Sequence, residues 1–389
     1  MSRFLFVVPS LAERARPTAS VGRELARRGH EVAWTGATVA APPLGGLRSP
    51  AGLLMLWDDF LLPLARDMLP TVRAVADGFR PDALVVDHQA LAGAAVGHLS
   101  GRPWATVVPT SAGLADPLWD LPEIARGIRR RTRRFLGDAG LDDIAAARLD
   151  PQRSPHLVVA FSTEELAGPV DDPSGRHAFV GPSLDARVDD VPFNWARLDG
   201  DRPLVVVAIE TPPWRRGARI YPVAAEALGS LDVQGVIVGP PDLVADPPPN
   251  VAVVPRAPLR ALVRRAAAVV CDGGHATVCE ALAHGVPLVV APLLADQPLV
   301  ADQVVRAGAA VPVTADRVSA SDLRWAVRTA LTDARLRRHA QRLGDSFTHA
   351  GGSSAAADRL EALLLTGRPV RAVREAGHGG GAGGPAPQR

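Results

Sequence analysis

Short apolar runs alternate with helix-length amphipathic stretches along the chain. FLFVVPS (4–10), EVAWTG (31–36), ALVVD (83–87) and WATVVPT (104–110) read as strands. Helices are predicted over 18–29, near 52–78, and from ALVVD through His98. This βαβ rhythm predicts a parallel sheet and one Rossmann-like half within residues 1–185.

A second cycle follows the polar, proline-containing stretch 182–203. Its strands are LVVVAIE (204–210), GVIVG (235–239), NVAVVP (250–255), AAVVC (267–271) and LVVAP (288–292). The predicted fold class is therefore α/β, two Rossmann-like domains facing across a cleft. The expected boundaries are 1–185, a linker at 186–201, and 202–366. The segment 367–389, ending GHGGGAGGPAPQR, has nothing with which to build a core, and disorder is predicted there. Ligands are expected at the carboxyl ends of the strands and in the cleft between halves.

Composition changes this picture little. With 389 residues and 47% hydrophobic content, two domains are favoured over one. No run reaches transmembrane length without a charge or proline, and MSRFLFVVPS reads as a buried strand rather than a leader, so a cytoplasmic protein is expected. Cys271 and Cys279 are the only cysteines, which argues against a disulfide framework or structural zinc and predicts free thiols. A formal charge of +2 is too small to point to nucleic acid, although all 43 basic residues are Arg. A monomer or a homodimer is equally compatible with the sequence.

Two local features each admit two readings. IARGIRRRTRRFL (124–136) carries six arginines beside Ile124, Ile128, Phe135 and Leu136. It suits a peripheral membrane or protein contact, or a solvated basic face, and the second is favoured because its apolar side is thin. Trp57, Asp58 and Asp59 stand at the head of a predicted apolar helix, where they either line an acceptor pocket or favour the helix start.

Chemistry concentrates in VPRAPLRALVRRAAAVVCDGGHATVCEALAHGVPLVVAPLLADQ (254–297). Paired glycines, Gly273 and Gly274, let backbone N–H groups approach an anion, and a helix starting near Thr277 directs its positive end at the same spot. This segment resembles the donor-binding region of nucleotide-sugar-dependent glycosyltransferases with the GT-B fold, especially the antibiotic and macrolide enzymes. The resemblance rests on Pro255, Gly273, Gly274, Thr277, Glu280, the turn Gly285-Val286-Pro287, and Asp296-Gln297 in order. RELARRGHEVAWTG (23–36), RPDALVVD (80–87), SPHLVVAFS (154–162) and FVGPSL (179–184) extend it more weakly over most of the remaining chain. It implies a nucleoside-diphosphate sugar as co-substrate with no required cofactor, and a small hydrophobic, polyketide-like acceptor. It also implies roles for particular residues. The diphosphate would lie at the turn Asp272-Gly273-Gly274-His275 with Thr211 and Thr277. Glu280 would accept from the ribose hydroxyls, Pro255 and Arg256 would edge the base, and Asp296 and Gln297 would hold the donor sugar.

The sequence departs from that family in three places. Asp272 stands where relatives have a His that donates to the diphosphate, so an acceptor-only group replaces a donor. After the strand at 204, Ala208-Ile209-Glu210-Thr211 replaces a Ser-x-Gly-Thr or Ser-x-Gly-Ser loop, with Glu210 in the place of glycine. Ala276 also fills a place where relatives commonly have Gly. A unit charge pair at 4 Å repels by roughly 4 kcal/mol at an effective dielectric near 20, so the two acids call for compensation. The ways out are arginines of WRRGAR (214–219), a divalent cation bridging Glu210 and Asp272 to the phosphates, or no diphosphate at all. The third departure is Arg14, which aligns with the general-base His of the inverting members and cannot take a proton at neutral pH. Asp87 matches the carboxylate that orients that His, and either Asp87 or its neighbour His88 is a candidate to act as base directly. An acceptor acidic enough to need little base is the other way out.

Two functions follow. One is transfer of a sugar, with inversion, from a nucleoside-diphosphate donor to a hydrophobic natural product. The other is a catalytically retired relative acting as a binding module or as the auxiliary partner of an active transferase. The retained Glu280 and Asp296-Gln297 favour the first.

Overall fold

The computed structural model describes residues 1–9, 12–37, 49–115, 120–184, 191–198, 200–209 and 219–366, with only the backbone described at 12–15. The first sheet comprises β1 (Arg3–Val7), β2 (Glu31–Thr35), β3 (Ala83–Asp87), β4 (Trp104–Val108), β5 (Leu157–Ala160) and β6 (His177–Phe179). They run parallel in the order β2-β1-β3-β4-β5-β6. The second comprises β7 (Leu204–Ala208), β8 (Gln234–Val238), β9 (Val251–Val254), β10 (Ala266–Cys271), β11 (Leu288–Val290) and β12 (Ala310–Pro312). Its order is β12-β11-β10-β7-β8-β9, again all parallel. Strands buried on both faces need apolar residues at every position, which explains why LVVVA and AAAVVC read as continuous runs rather than alternations. β6 and β12, three residues each, escape a periodicity reading because they are too short to show one.

Each sheet has a point where the chain, having wound one way, begins again on the other side of its first strand. In the first half this lies between β1 and β3, and in the second between β7 and β10. A crevice opens outside the carboxyl ends of the strands at such a point. Asp87 ends β3 and Asp272 follows β10, so both sequence-selected acids sit at these positions.

The division into halves differs from the sequence boundary at its end. The helix Gly352–Thr366, assigned with the rest of 202–366 to the second half, returns to the first. Its Ala356, Ala357, Leu360 and Leu363 share one buried cluster with Phe4, Phe6 and Leu25. Arg28 reaches across to Asp358 at 2.6 Å and Glu361 at 2.8 Å, and His30 Nε2 lies 2.9 Å from the other Glu361 oxygen. Helical periodicity reports that a face is buried but carries no information about which sheet covers it.

The predicted helix near 52–78 is a continuous rod from Pro50 to Phe79, capped by the Ser49 hydroxyl accepting from Gly52 N–H at 3.0 Å. Its middle, Leu56–Leu61, is wound as a π-helix. Trp57, Asp58 and Asp59 therefore lie inside the rod and not at its head. Asp58 instead accepts from Arg131 Nε at 2.8 Å, tying the rod to the Arg-rich helix Pro122–Asp138. Ile128, Phe135 and Leu136 of that helix are buried in the core of the first half. Its apolar stripe is thus consumed by the fold, leaving a solvated arginine face outward. Among the described residues no helix is long and apolar enough to cross a membrane.

Candidate functional site

The turn after β10 answers why an anion-binding joint opens with a carboxylate. Asp272 is 2% exposed, and its Oδ1 accepts from the Gly274 N–H at 3.0 Å. Its Oδ2 accepts from the Gln297 side-chain amide at 2.8 Å. Gln297 in turn accepts on Oε1 from the N–H groups of Leu293 and Leu294 at 3.0 and 2.9 Å, which fixes the loop after β11. The carboxylate stitches two loops of the crevice together, with its lone pairs directed at N–H donors. Gly273 makes the turn at φ +83°, a conformation suited to glycine, and an added Cβ would lie 3.0 Å from the Gln297 carbonyl oxygen. Gln297, which the resemblance assigns to the donor sugar, is thereby built into the wall of the crevice and opens the helix Gln297–Arg306.

The helix after the glycines, His275–Ala283, begins two residues earlier than expected. The His275 side chain is turned toward the first half. Its Nε2 lies 3.1 Å from the Phe161 carbonyl and its Nδ1 is 3.3 Å from the Ser111 N–H, both in the first half. Those partners place the proton on Nε2 and leave Nδ1 as acceptor. Burial pushes the imidazole pKa down, against smaller upward pulls from the Phe161 carbonyl and Asp296. A neutral histidine clasps the two halves. Gln303 adds to this seam by donating to the Ser111 and Ala167 carbonyls, and Thr163 meets Ser346 across it at 3.0 Å.

Glu280, also 2% exposed, lies on the next turn of the helix, 3.1 Å from Arg260 Nε and 3.2 Å from His284 Nε2. Arg260 places a cation beside the carboxylate assigned to ribose, a partner with no motif signal in the sequence. Thr277 is half-buried in the first helical turn, while Pro255 and Arg256 are exposed just beyond β9. Glu210, Thr211 and the arginines at 215 and 216 lie outside the described residues, as does the Arg14 side chain. Among the described residues no group of three or more His, Cys, Asp or Glu is disposed to hold a metal ion. Asp272, the described half of the suggested Glu210/Asp272 cation pair, has both oxygens taken by N–H donors. The cysteines are free and buried, with burial pushing the Cys271 thiol up to about 12.

A mostly apolar cleft lies between the rod's π-helical stretch and the carboxyl edge of the first sheet, with an empty volume of about 930 Å³ including its mouth. Leu56, Trp57, Leu114, His88 and Asp296 are among its lining residues. Leu56 and Trp57 open the π-helical stretch, and with Leu53 and Leu61 they form the face of the rod that lines the cleft. Asp296 comes from the second half and accepts from Thr110 Oγ1 at 3.2 Å, so the cleft reaches the second half at this contact. The two base candidates are placed differently. His88 lines the cleft, whereas Asp87 is fully buried, accepts from Gln89 N–H at 2.8 Å, and lies 3.7 Å behind His88 Nδ1. Of the two, only His88 lines the cleft.

Residues 224–363 match the family described as "Erythromycin biosynthesis protein CIII-like, C-terminal domain". The chain is similar to antibiotic glycosyltransferases, and its fold is GT-B. It is 29% identical to 4'-demethylrebeccamycin synthase of Lentzea aerocolonigenes, spanning 90% of this chain and 96% of that one. It is 28% identical to the demethyllactenocin mycarosyltransferase of Streptomyces fradiae, over 94% and 87%. Among solved structures, the kitacinnamycin glycotransferase superposes with a TM-score of 0.74 at 24% identity, covering 93% of this chain and 98% of that one. VinC in complex with DTDP superposes with a TM-score of 0.71 at 19% identity, covering 94% and 100%. The GT-B expectation drawn from CDGGHATVCE and its surroundings is met over nearly the whole chain.

Proposed function

We propose that this GT-B protein transfers a sugar, with inversion, from a nucleoside-diphosphate donor to a hydroxyl of a small hydrophobic natural product. The donor lies at the carboxyl edge of the second sheet, with its diphosphate over the N-terminus of His275–Ala283. The acceptor lies in the cleft of the first half against Leu56 and Trp57. His88 takes the hydroxyl proton as the acceptor oxygen bonds to the anomeric carbon. The bond from that carbon to the diphosphate breaks on the opposite face, and the nucleoside diphosphate leaves. Asp87, 3.7 Å from Nδ1, is oriented to stabilise the imidazolium that forms.

The observation that carries this reading is that His88 and Asp296, from different halves, line one cleft. The demethyllactenocin mycarosyltransferase, named for sugar transfer and matched over 87% of its length, favours an active enzyme over a retired one. Arg260 offers a positive charge near the nucleoside end of the donor site.

Titration with dTDP and UDP, with and without Mg²⁺, tests the donor site. Micromolar to submillimolar binding of one nucleotide is expected, and no heat with either would refute the donor assignment. Turnover of a panel of phenolic aglycones with a dTDP-sugar tests the chemistry. His88→Ala is expected to lower kcat by about 10²-fold or more, and undiminished turnover would remove His88 as base.

A further inference from the structure

A second histidine enters the same cleft, and nothing in the transfer mechanism uses it. His177 opens β6 and pairs in register with Val158 of β5. Register partners on adjacent parallel strands point to the same face, and Val158 and His177 both line the cleft. Ala178, one residue on, turns to the opposite face and joins the other core. The imidazole is 8% exposed and is held from behind by Asp172, whose Oδ2 lies 2.8 Å from Nδ1 and also accepts from the His177 backbone N–H at 2.8 Å.

Asp172 is itself positioned. Its Oδ1 accepts from the Ser174 hydroxyl at 2.5 Å, and Arg176 Nε donates to that hydroxyl. Burial raises the Asp172 pKa, but the hydrogen bonds from Ser174 and His177 outweigh it and hold the carboxyl well below its ordinary range. The ionised carboxylate 2.8 Å from Nδ1 favours the proton on that nitrogen by charge, without an aligned hydrogen bond, and so favours a lone pair on Nε2. Among the described residues no protein group bonds to Nε2. Nε2 is thus the ring nitrogen open to a ligand, and an acceptor facing an apolar cleft gains when a hydroxyl donates to it.

His88 follows β3 and His177 lies on β6, three strand spacings along the sheet, or about 14 Å. We propose that His177, oriented by Asp172, is an acceptor-recognition residue. Its Nε2 receives a hydrogen bond from a second hydroxyl at the end of the acceptor remote from the reacting one. The ligand class is an elongated apolar molecule, about 10 Å long, with hydroxyl groups at both ends. Gln152 and Arg153 also line the cleft and add polar groups to it. This inference rests on the cleft being the acceptor site of the proposed transferase.

The test compares binding of biphenyl-4,4'-diol and 4-phenylphenol to the full chain by calorimetry, with dTDP titrated in parallel. Wild type is expected to bind the diol about tenfold more tightly. His177→Phe should abolish the preference while leaving 4-phenylphenol within about twofold, and Asp172→Asn should weaken it by freeing the tautomer. His177→Gln, which keeps an acceptor oxygen, should restore part of it. Equal wild-type affinity for the two phenols, with dTDP bound normally, overturns this inference alone, as does a preference that survives in His177→Phe. Failure of both phenols to bind, with dTDP bound, overturns the cleft as acceptor site and this inference with it.

Discussion

The Gln297 side chain donates to the Asp272 carboxylate at 2.8 Å, joining the turn after β10 to the start of the helix that follows β11. Two residues that resemble ligand-binding positions are in this chain also bonded to each other. The cost of opening an anion site with an acid is offset here by a structural use of that acid.

Replacing Asp272 by Asn separates the two effects. An amide has one acceptor oxygen, so it can serve the Gly274 N–H or the Gln297 amide but not both. Stability should fall by about 1–3 kcal/mol. Loss of the negative charge should at the same time tighten dTDP binding at least about threefold. Denaturant unfolding and calorimetry measure the two quantities independently, and unchanged dTDP affinity would show that Asp272 does not oppose the diphosphate.

The clasp at His275 makes the seam between halves sensitive to pH. Its folded pKa lies below the ordinary 6.5, so between those two values the unfolded chain binds more protons and stability rises with pH. Stability contributed by the neutral imidazole is present above about 6.5 and is lost as pH falls from there toward the folded value. Protonation would point a second N–H at the Ser111 N–H. Limited proteolysis across pH 7.5 to 5 should show the seam loosening as pH falls, and His275→Gln should flatten that dependence. A wild-type profile flat over this range would contradict the clasp.

The two glycines of the turn should differ. Gly273 is at φ +83°, where a side chain is strained, and its Cβ would crowd the Gln297 carbonyl at 3.0 Å. Gly273→Ala is expected to cost about 1–2 kcal/mol or more and to weaken dTDP binding. At Gly274 the φ is −56° and the nearest contact of a Cβ is Asp272 Oδ1 at 3.3 Å. The Gly274→Ala variant should be the more stable of the two in thermal melts.

The last helix stabilises the half it covers, not the half it follows. Leu360 is 1% exposed within the cluster containing Phe4 and Leu25. Leu360→Ala should destabilise by about 2–5 kcal/mol. Hydrogen exchange should place the increased opening in β1 and the helix Ala12–Arg27 rather than in β7 to β12. Increased exchange confined to the second sheet would refute the assignment.

The local pattern of this chain determines its elements. Apolar runs of four to six residues between amphipathic stretches require parallel strands with crossover helices, and paired glycines before a helix make a turn that admits an anion. Those are properties of neighbouring residues, so FLFVV, LVVVA and CDGG carry them by themselves. Tertiary structure alone decided what long-range contacts control. It decided that Asp272 spends its oxygens on Gly274 and Gln297, that His275 bridges to Ser111 and Phe161, and that His88 faces the cleft while Asp87 lies behind it. It also returned the last helix to the first sheet and placed His177 in the lining of the cleft. A side chain's partner is set by which strands lie side by side and which face each residue takes, and that depends on segments more than a hundred residues apart in the chain.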